Sequence, residues 1–510
     1  MEGDLRIIRF TDSEKELLYS NAQQAISEFP VGEAKERMYN ALSTFRMPYW
    51  DAAAVPPKDT SSFPAIVQQE VVDIEVPSGE STTTMSVPNP LYAYRFHPLP
   101  ADDFKSVPWI LWNSTKRYPA SMAVNAKSQN DLVAKSLDSN RVNLMQQTYQ
   151  MLGMQANYLD VSNSMAETDA QGAIPNSLES VHDTLHNAIG RGGHMYDAAY
   201  SAFDPIFWLL HTNVDRLLAI WQDLHPDSFV ESHVNPWPTF ATAPYSEADE
   251  NTPLYPFHRN AAGDFWTSAS VRDHTIFGST YPEFLGLSAT DTLVGRVNAL
   301  YGGNATSRFS WETARAEQHV ASPQSSDVRY QYSAVIRAQH MGPGGVSKVL
   351  VFLDAKMNIN AGPANTQAWM SEPGFVGYAG FQNAVGQEKT EMQTNGVVAL
   401  TAALEDRMRM GELRSMDENV VGTYLQEKLH WLLVDVRLFD PANSHACRYL
   451  LTNLCQANDN VIAPEHASGF SIGVSWAKTS PGTASTLPAV LGGGFEQLPH
   501  ATMGKAGGVQ

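Results

Sequence analysis

Pro205 stands where the first turn of a helix would begin, and from Phe207 to Gln222 the chain keeps helical spacing, with a histidine, His211, among its apolar residues. An imidazole buried in such a wall costs free energy unless it is partnered, so this helix must pack where the ring has something to bind. Asp215, one turn later, is a candidate acceptor to orient it. Upstream, Ser177-Leu178-Glu179-Ser180-Val181-His182-Asp183-Thr184-Leu185-His186-Asn187 sets two histidines at i and i+4. On a helix from about Leu178 to Ile189 both imidazoles share one face. That spacing also suits ordinary core or surface histidines, and His211 alone suits a satisfied core histidine. Taken together, the three make a candidate metal site.

The rest of the chain divides by pattern. Ser13 to Ala41 reads as a helix or helix pair broken near Pro30-Val31-Gly32. Val71 to Val76 alternates like a strand and closes at Pro77-Ser78-Gly79, and Ser128 to Leu159 is helical in its spacing. A glycine-rich turn at Gly190, Gly192 and Gly193 precedes the helix that carries His211. Past Pro323 the character becomes β-rich. Tyr330 to Ile336 and Val349 to Leu353 alternate around a turn at Pro343, which predicts a hairpin, with later strands at Leu429 to Phe439 and Phe470 to Trp476. Beyond Ala477, Gly, Ser, Thr, Pro and Ala dominate without periodicity, which predicts a flexible tail over 477–510. The domains expected are therefore 1–325, 326–476 and that tail.

Composition excludes several classes. The formal net charge of -20 argues against nucleic acid or an anionic membrane surface as a partner. No apolar run approaches the roughly 18 residues of a membrane helix, and Met1-Glu2-Gly3-Asp4 has no secretory character, so a cytoplasmic location is expected. Two cysteines, Cys447 and Cys455, exclude a disulfide framework and read as reduced thiols.

At the level of motifs a resemblance appears. Asp204-Pro205-Ile206-Phe207-Trp208-Leu209-Leu210-His211, continuing to Asp215-Arg216, and preceded by Leu178-Glu179, His182, His186 and Gly192-Gly193-His194-Met195, resembles the second copper site of the tyrosinase and polyphenol oxidase family. Phe45-Arg46-Met47-Pro48-Tyr49-Trp50-Asp51 resembles that family's signature after its first copper site, and Asn89 to Phe96 and Thr252 to Phe257 also match. The resemblance implies a mainly α catalytic domain, an antiparallel helix bundle around copper, followed by a β-rich, sandwich-like C-terminal domain that covers the site as a lid. It implies copper ligands His182, His186 and His211. It further implies Glu179 holding a water near the metals, Asp183 tuning monophenol against diphenol use, Phe207 positioning substrate, and His194 near the pocket mouth without binding metal. The implied partners are a phenolic small molecule and dioxygen, and the implied chemistry is phenol hydroxylation and oxidation of o-diphenols to o-quinones, as in melanin-type pigments.

The pattern departs from the family at its start and, to a smaller degree, at Leu210, where most members carry a second, non-ligating histidine. The ligands of its first copper precede Pro48 to Asp51, and this chain has no histidine before His97. The expectation is at most one copper, a chain inactive alone, and a truncated tyrosinase rather than a single-copper remnant. A non-catalytic copper-binding protein and a hemocyanin-like oxygen carrier are the alternatives. A lid would be released by cleavage near Ala321-Ser322-Pro323-Gln324-Ser325-Ser326.

Overall fold

The computed structural model describes residues 7–99, 104, 108–165, 174, 176–235, 241–302, 328–339, 346–353, 366–382, 393–437, 458–467, 469–483 and 485–509. In chain order its helices are α1 (Ile7–Ser27), α2 (Glu33–Ser43), α3 (Asn130–Met154), α4 (Tyr158–Ser162), α5 (Leu178–Gly190), α6 (Pro205–Leu224), α7 (Leu293–Tyr301), α8 (Thr366–Trp369), α9 (Thr401–Arg409) and α10 (Glu418–Lys428). Among the described residues no helix is long and apolar enough to cross a membrane. The helical core and a sheet-rich C-terminal part match the expected fold class.

The chain forms two units. The first comprises Met1–Asp51, Pro64–Tyr94 and Pro205–Leu285. It holds α1 and α2, the antiparallel pair β1 (Val71–Ser78) and β2 (Ser81–Pro88), the long helix α6, and the short strand pairs β3 (His233–Asn235) with β4 (Ser246–Ala248) and β5 (Pro253–His258) with β6 (Phe265–Thr267). The break between α1 and α2 falls at Pro30 to Gly32, where proline has no amide proton to continue the ladder. Most of α6 is buried, from Ile206 through Trp221, as an apolar helix requires.

The second unit comprises Ala52–Phe63, Arg95–Asp204 and Gly286–Gln510. Two four-stranded sheets build its β-rich part. One has the order β10 (Gln393–Ala399), β7 (Arg329–Gln339), β13 (Ser471–Thr479), β14 (Val490–Gln497). The other has the order β12 (Asn458–Ile462), β11 (Leu429–Arg437), β8 (Lys348–Leu353), β9 (Phe375–Gly380). Tyr332, Ile336 and Val474 from the first join Val349, Val351 and Leu433 from the second in one buried core. α3 closes the sheet edges with a column of amides. Asn140 Oδ1 accepts from Tyr378 N (2.9 Å), Asn143 Oδ1 accepts from Ala399 N (2.9 Å), and Gln147 Nε2 donates to Val397 O (2.6 Å). Edge strands β9 and β10 thereby find partners for backbone groups that no neighbouring strand satisfies.

Two expectations are corrected here. Tyr330 to Ile336 and Val349 to Leu353 are strands, but β7 and β8 lie in different sheets and form no hairpin. Alternation fixes which side chains face the core, not which strand lies alongside, and both strands feed the same core. The turn at Pro343 lies outside the described residues. Second, the segment after Ala477 is not a flexible tail: β14 pairs antiparallel with β13, and Phe495, Leu498 and Ala501 are buried. The second unit groups α3, α4, α5 and α7 with the β-rich part. Cys447, Cys455 and the junction 321–326 also lie outside the described residues.

Candidate metal centre

α5 begins at a reciprocal cap. Ser177 Oγ accepts from Ser180 N (3.0 Å) while Ser180 Oγ accepts from Ser177 N (3.1 Å), so serine fills the role usually given to Glu or Gln. From that fixed start His182 and His186 fall one turn apart with ring centroids 4.2 Å from each other. His182 Nδ1 donates to Asp183 Oδ1 (3.0 Å), and His186 Nδ1 donates to Met195 O (2.6 Å). Both bonds place the proton on Nδ1 and leave Nε2 as the nitrogen able to face a metal. Burial, and secondarily the neighbouring His182, hold the His186 pKa well below the usual histidine value, which keeps that ring neutral. On α6, the His211 ring stacks on Phe207 at 3.8 Å between centroids and 23° between planes.

One ligand atom from each of His182, His186 and His211 lies within 4.8 Å of the others, and all three residues are buried. Among the described residues no other group of three histidine, cysteine or acidic side chains does so. Three imidazoles, with neither thiolate nor carboxylate in the set, fit a borderline-soft ion such as copper.

The other site residues have distinct positions. Asp183 is bound to His182 and so acts on a ligand directly. Glu179 Oε2 accepts from Ser164 N (2.6 Å), which ties the start of α5 to the segment after α4. Phe207 supports the His211 ring. Two roles differ from expectation. Asp215 makes no hydrogen bond to His211 among the described residues, and burial raises its pKa well above the usual carboxylate range. His194 does not sit at a pocket mouth: it is fully buried, with Trp109, Trp112 and Phe96 at centroid distances of 5.2, 5.7 and 6.0 Å. Its Nδ1 accepts from Lys116 N (3.0 Å), and burial lowers its pKa to about 3.

Contacts that sequence reasoning did not reach support these helices. Arg216 is buried and forks onto Glu283 (2.7 and 3.1 Å), while also reaching Asp51 (3.2 Å) and lying 4.7 Å from the Tyr49 ring centre. Trp50 N donates to Leu209 O (3.0 Å). The Pro-Tyr-Trp-Asp signature and the Asp-Arg pair are thus two halves of one brace on α6. Asp204, before the helix, is held by Arg117 through bonds of 2.6 and 3.0 Å.

The glycine-rich turn has a geometric cause. A Cβ on Gly190 would lie 2.1 Å from Tyr196 N and 2.6 Å from the Met195 carbonyl carbon. Only glycine lets the turn fold back far enough for Met195 O to reach His186. Gly190→Ala is expected to displace that carbonyl and weaken copper binding about tenfold or more. Competition with a calibrated chelator measures this, and unchanged affinity in a folded variant would contradict it.

Against this geometry the relatives can be placed. Residues 21–224 match the common central domain of tyrosinase, and residues 331–443 match the tyrosinase C-terminal domain. A tyrosinase of Podospora anserina is 30% identical over 457 residues, covering 76% of this chain and 77% of that protein. Polyphenol oxidase 2 of Agaricus bisporus is 36% identical over 271 residues, 51% of this chain and 44% of that protein, so the match spans less than half of it. In fold, the chain is similar to a recombinant mushroom tyrosinase, with a TM-score of 0.69 and 24% identity, over 93% of this chain and 79% of that one. With both family domains in order along it, the chain belongs to the tyrosinase family, whose members are copper-using oxidoreductases of the tyrosinase and polyphenol oxidase type.

Proposed function

We propose that His182, His186 and His211 hold one copper ion, and that this centre is one half of the dicopper machinery that hydroxylates monophenols and oxidises o-diphenols to o-quinones with dioxygen. The observation that carries the reading is the convergence of three buried imidazoles within 4.8 Å, two of them with Nδ1 already engaged. Bound copper would supply one-electron redox chemistry and affinity for dioxygen. The protein's part is to keep the three rings oriented: Asp183 and Met195 O hold Nδ1 protons, and Phe207 fixes the His211 plane. Glu179, one turn before His182, is the carboxylate suited to assist phenol deprotonation. Membership of an oxidase family favours this reading over an oxygen carrier.

Oxidation of a diphenol by two electrons in one step takes two metals that each change by one electron, and the described residues contain one three-histidine group. The copper-loaded chain by itself is therefore expected to form no quinone from catechol beyond the rate given by free copper. Joining it to a segment that supplies three further histidines beside the centre should restore turnover. Quinone formation by the chain alone, lost on His182→Ala, would overturn the reading.

A further inference from the structure

We infer that the β-rich C-terminal region is a working part of the metal centre, and that Gln382, just after β9, is a positioning residue for His186. This rests on the copper reading above. His186 Nδ1 has a second neighbour besides Met195 O, the Gln382 side-chain amide at 3.0 Å. A contact of 2.6 Å between Nδ1 and a carbonyl oxygen requires the ring proton between them. An amide nitrogen on that same Nδ1–H would meet donor with donor. Rotation about the last side-chain bond exchanges the amide nitrogen and oxygen, so Gln382 turns its oxygen to the ring and the proton is shared by two acceptors.

The reach of Gln382 is set by a close seam between α5 and β9. Gly380 N donates to Thr184 Oγ1 (3.0 Å), and Asn187 Nδ2 donates to Ser347 O (2.8 Å) and Phe381 O (3.3 Å). A Cβ on Gly380 would lie 2.7 Å from that of Asn187, so the strand lies against the helix as closely as backbone permits. Thr184 and Asn187 flank His186 on α5, and the seam therefore fixes the strand at the ligand itself. Two acceptors on one proton pin the ring plane, aim Nε2 and raise its basicity toward a metal. On this account, loss of the β-rich region weakens metal binding, whereas a simple lid would leave the metal in place.

The test compares Gln382→Met, which keeps length and removes the acceptor, with Gln382→Glu, which keeps an acceptor oxygen. The readouts are melting temperature, copper affinity by chelator competition, the Cu(II) electron paramagnetic resonance spectrum, and the 15N spectrum of histidine-labelled, metal-free protein. Gln382→Met should melt like the parent, bind copper about tenfold more weakly, and shift both the Cu(II) spectrum and the His186 Nδ1 resonance. Gln382→Glu should bind copper at least as tightly as the parent. Parental affinity and spectra in Gln382→Met would overturn the inference, as would equal losses of affinity and melting temperature in both variants. Should the parent chain bind no copper, the copper reading falls, while the 15N comparison still decides whether Gln382 holds the ring.

Discussion

A chain ending at Ser480 is expected to lose cooperative folding of its β-rich part. Removal takes away β14, which covers the edge of β13, together with buried Phe495 and Leu498. Each of those side chains contributes about 1.5–3 kcal/mol by burial. Lys505 goes too, and its Nζ donates to Leu425 O (2.8 Å) and Leu429 O (2.9 Å) at the end of α10. A loss of roughly 5 kcal/mol or more is comparable with the whole stability of an ordinary domain. Near-ultraviolet circular dichroism and thermal melting provide the check. A truncated chain with the parent's melting curve would mean the segment is dispensable, as its composition suggests.

The second large effect is at Arg216. Alanine there leaves Glu283 buried at 7% exposure without its guanidinium, and deprives Asp51 of its contact. Removing one partner of a buried ion pair costs about 3–5 kcal/mol, since the remaining charge stays desolvated. Arg216→Lys should recover only part of this, because an ammonium cannot make the paired bonds of the planar fork. The penalty has a pH signature. In the alanine variant, burial raises the folded-state pKa of Glu283 above its unfolded value, so the folded chain binds more protons and stability falls as pH rises through that range. The deficit relative to the parent should therefore shrink toward acid pH in denaturant titrations. A deficit independent of pH would point to lost packing alone.

Much of the site was legible because helical spacing is a local property. The interval from His182 to His186 fixes a shared face on any helix, and an apolar helix around His211 demands a partner for the ring. What spacing cannot encode is the far end of a contact. Glu283 lies 67 residues beyond Arg216, and Gln382 lies 196 beyond His186. No periodicity marks either one. Gly190 and Gly192 did signal a tight turn, but only coordinates show that the turn delivers Met195 O to His186.

The fold divides the same way. The helices and the alternating strands were visible, since each pattern reports the face its own element buries. The partnership of β7 and β8 was misread because alternation is silent about neighbours. β14 was missed because Gly492, Gly493 and Gly494 break its pattern, and its order comes from pairing with β13 instead of from propensity. Asp215 shows the complementary error. Its place one turn from His211 suits an acceptor, but no hydrogen bond joins the two among the described residues, and burial disfavours its charged form.

The central claim is that three imidazoles hold an isolated copper, and counting spins against metal tests it most directly. The chain should be loaded with Cu(II), freed of excess ion, and measured for total copper and for the integrated electron paramagnetic resonance signal. The account predicts about one copper per chain, all of it visible as mononuclear Cu(II), and none retained after His211→Ala, because two imidazoles on one helix hold copper poorly. Two coppers per chain with most of the signal silent, the mark of a coupled pair, would contradict it, as would full copper retention by the His211→Ala variant.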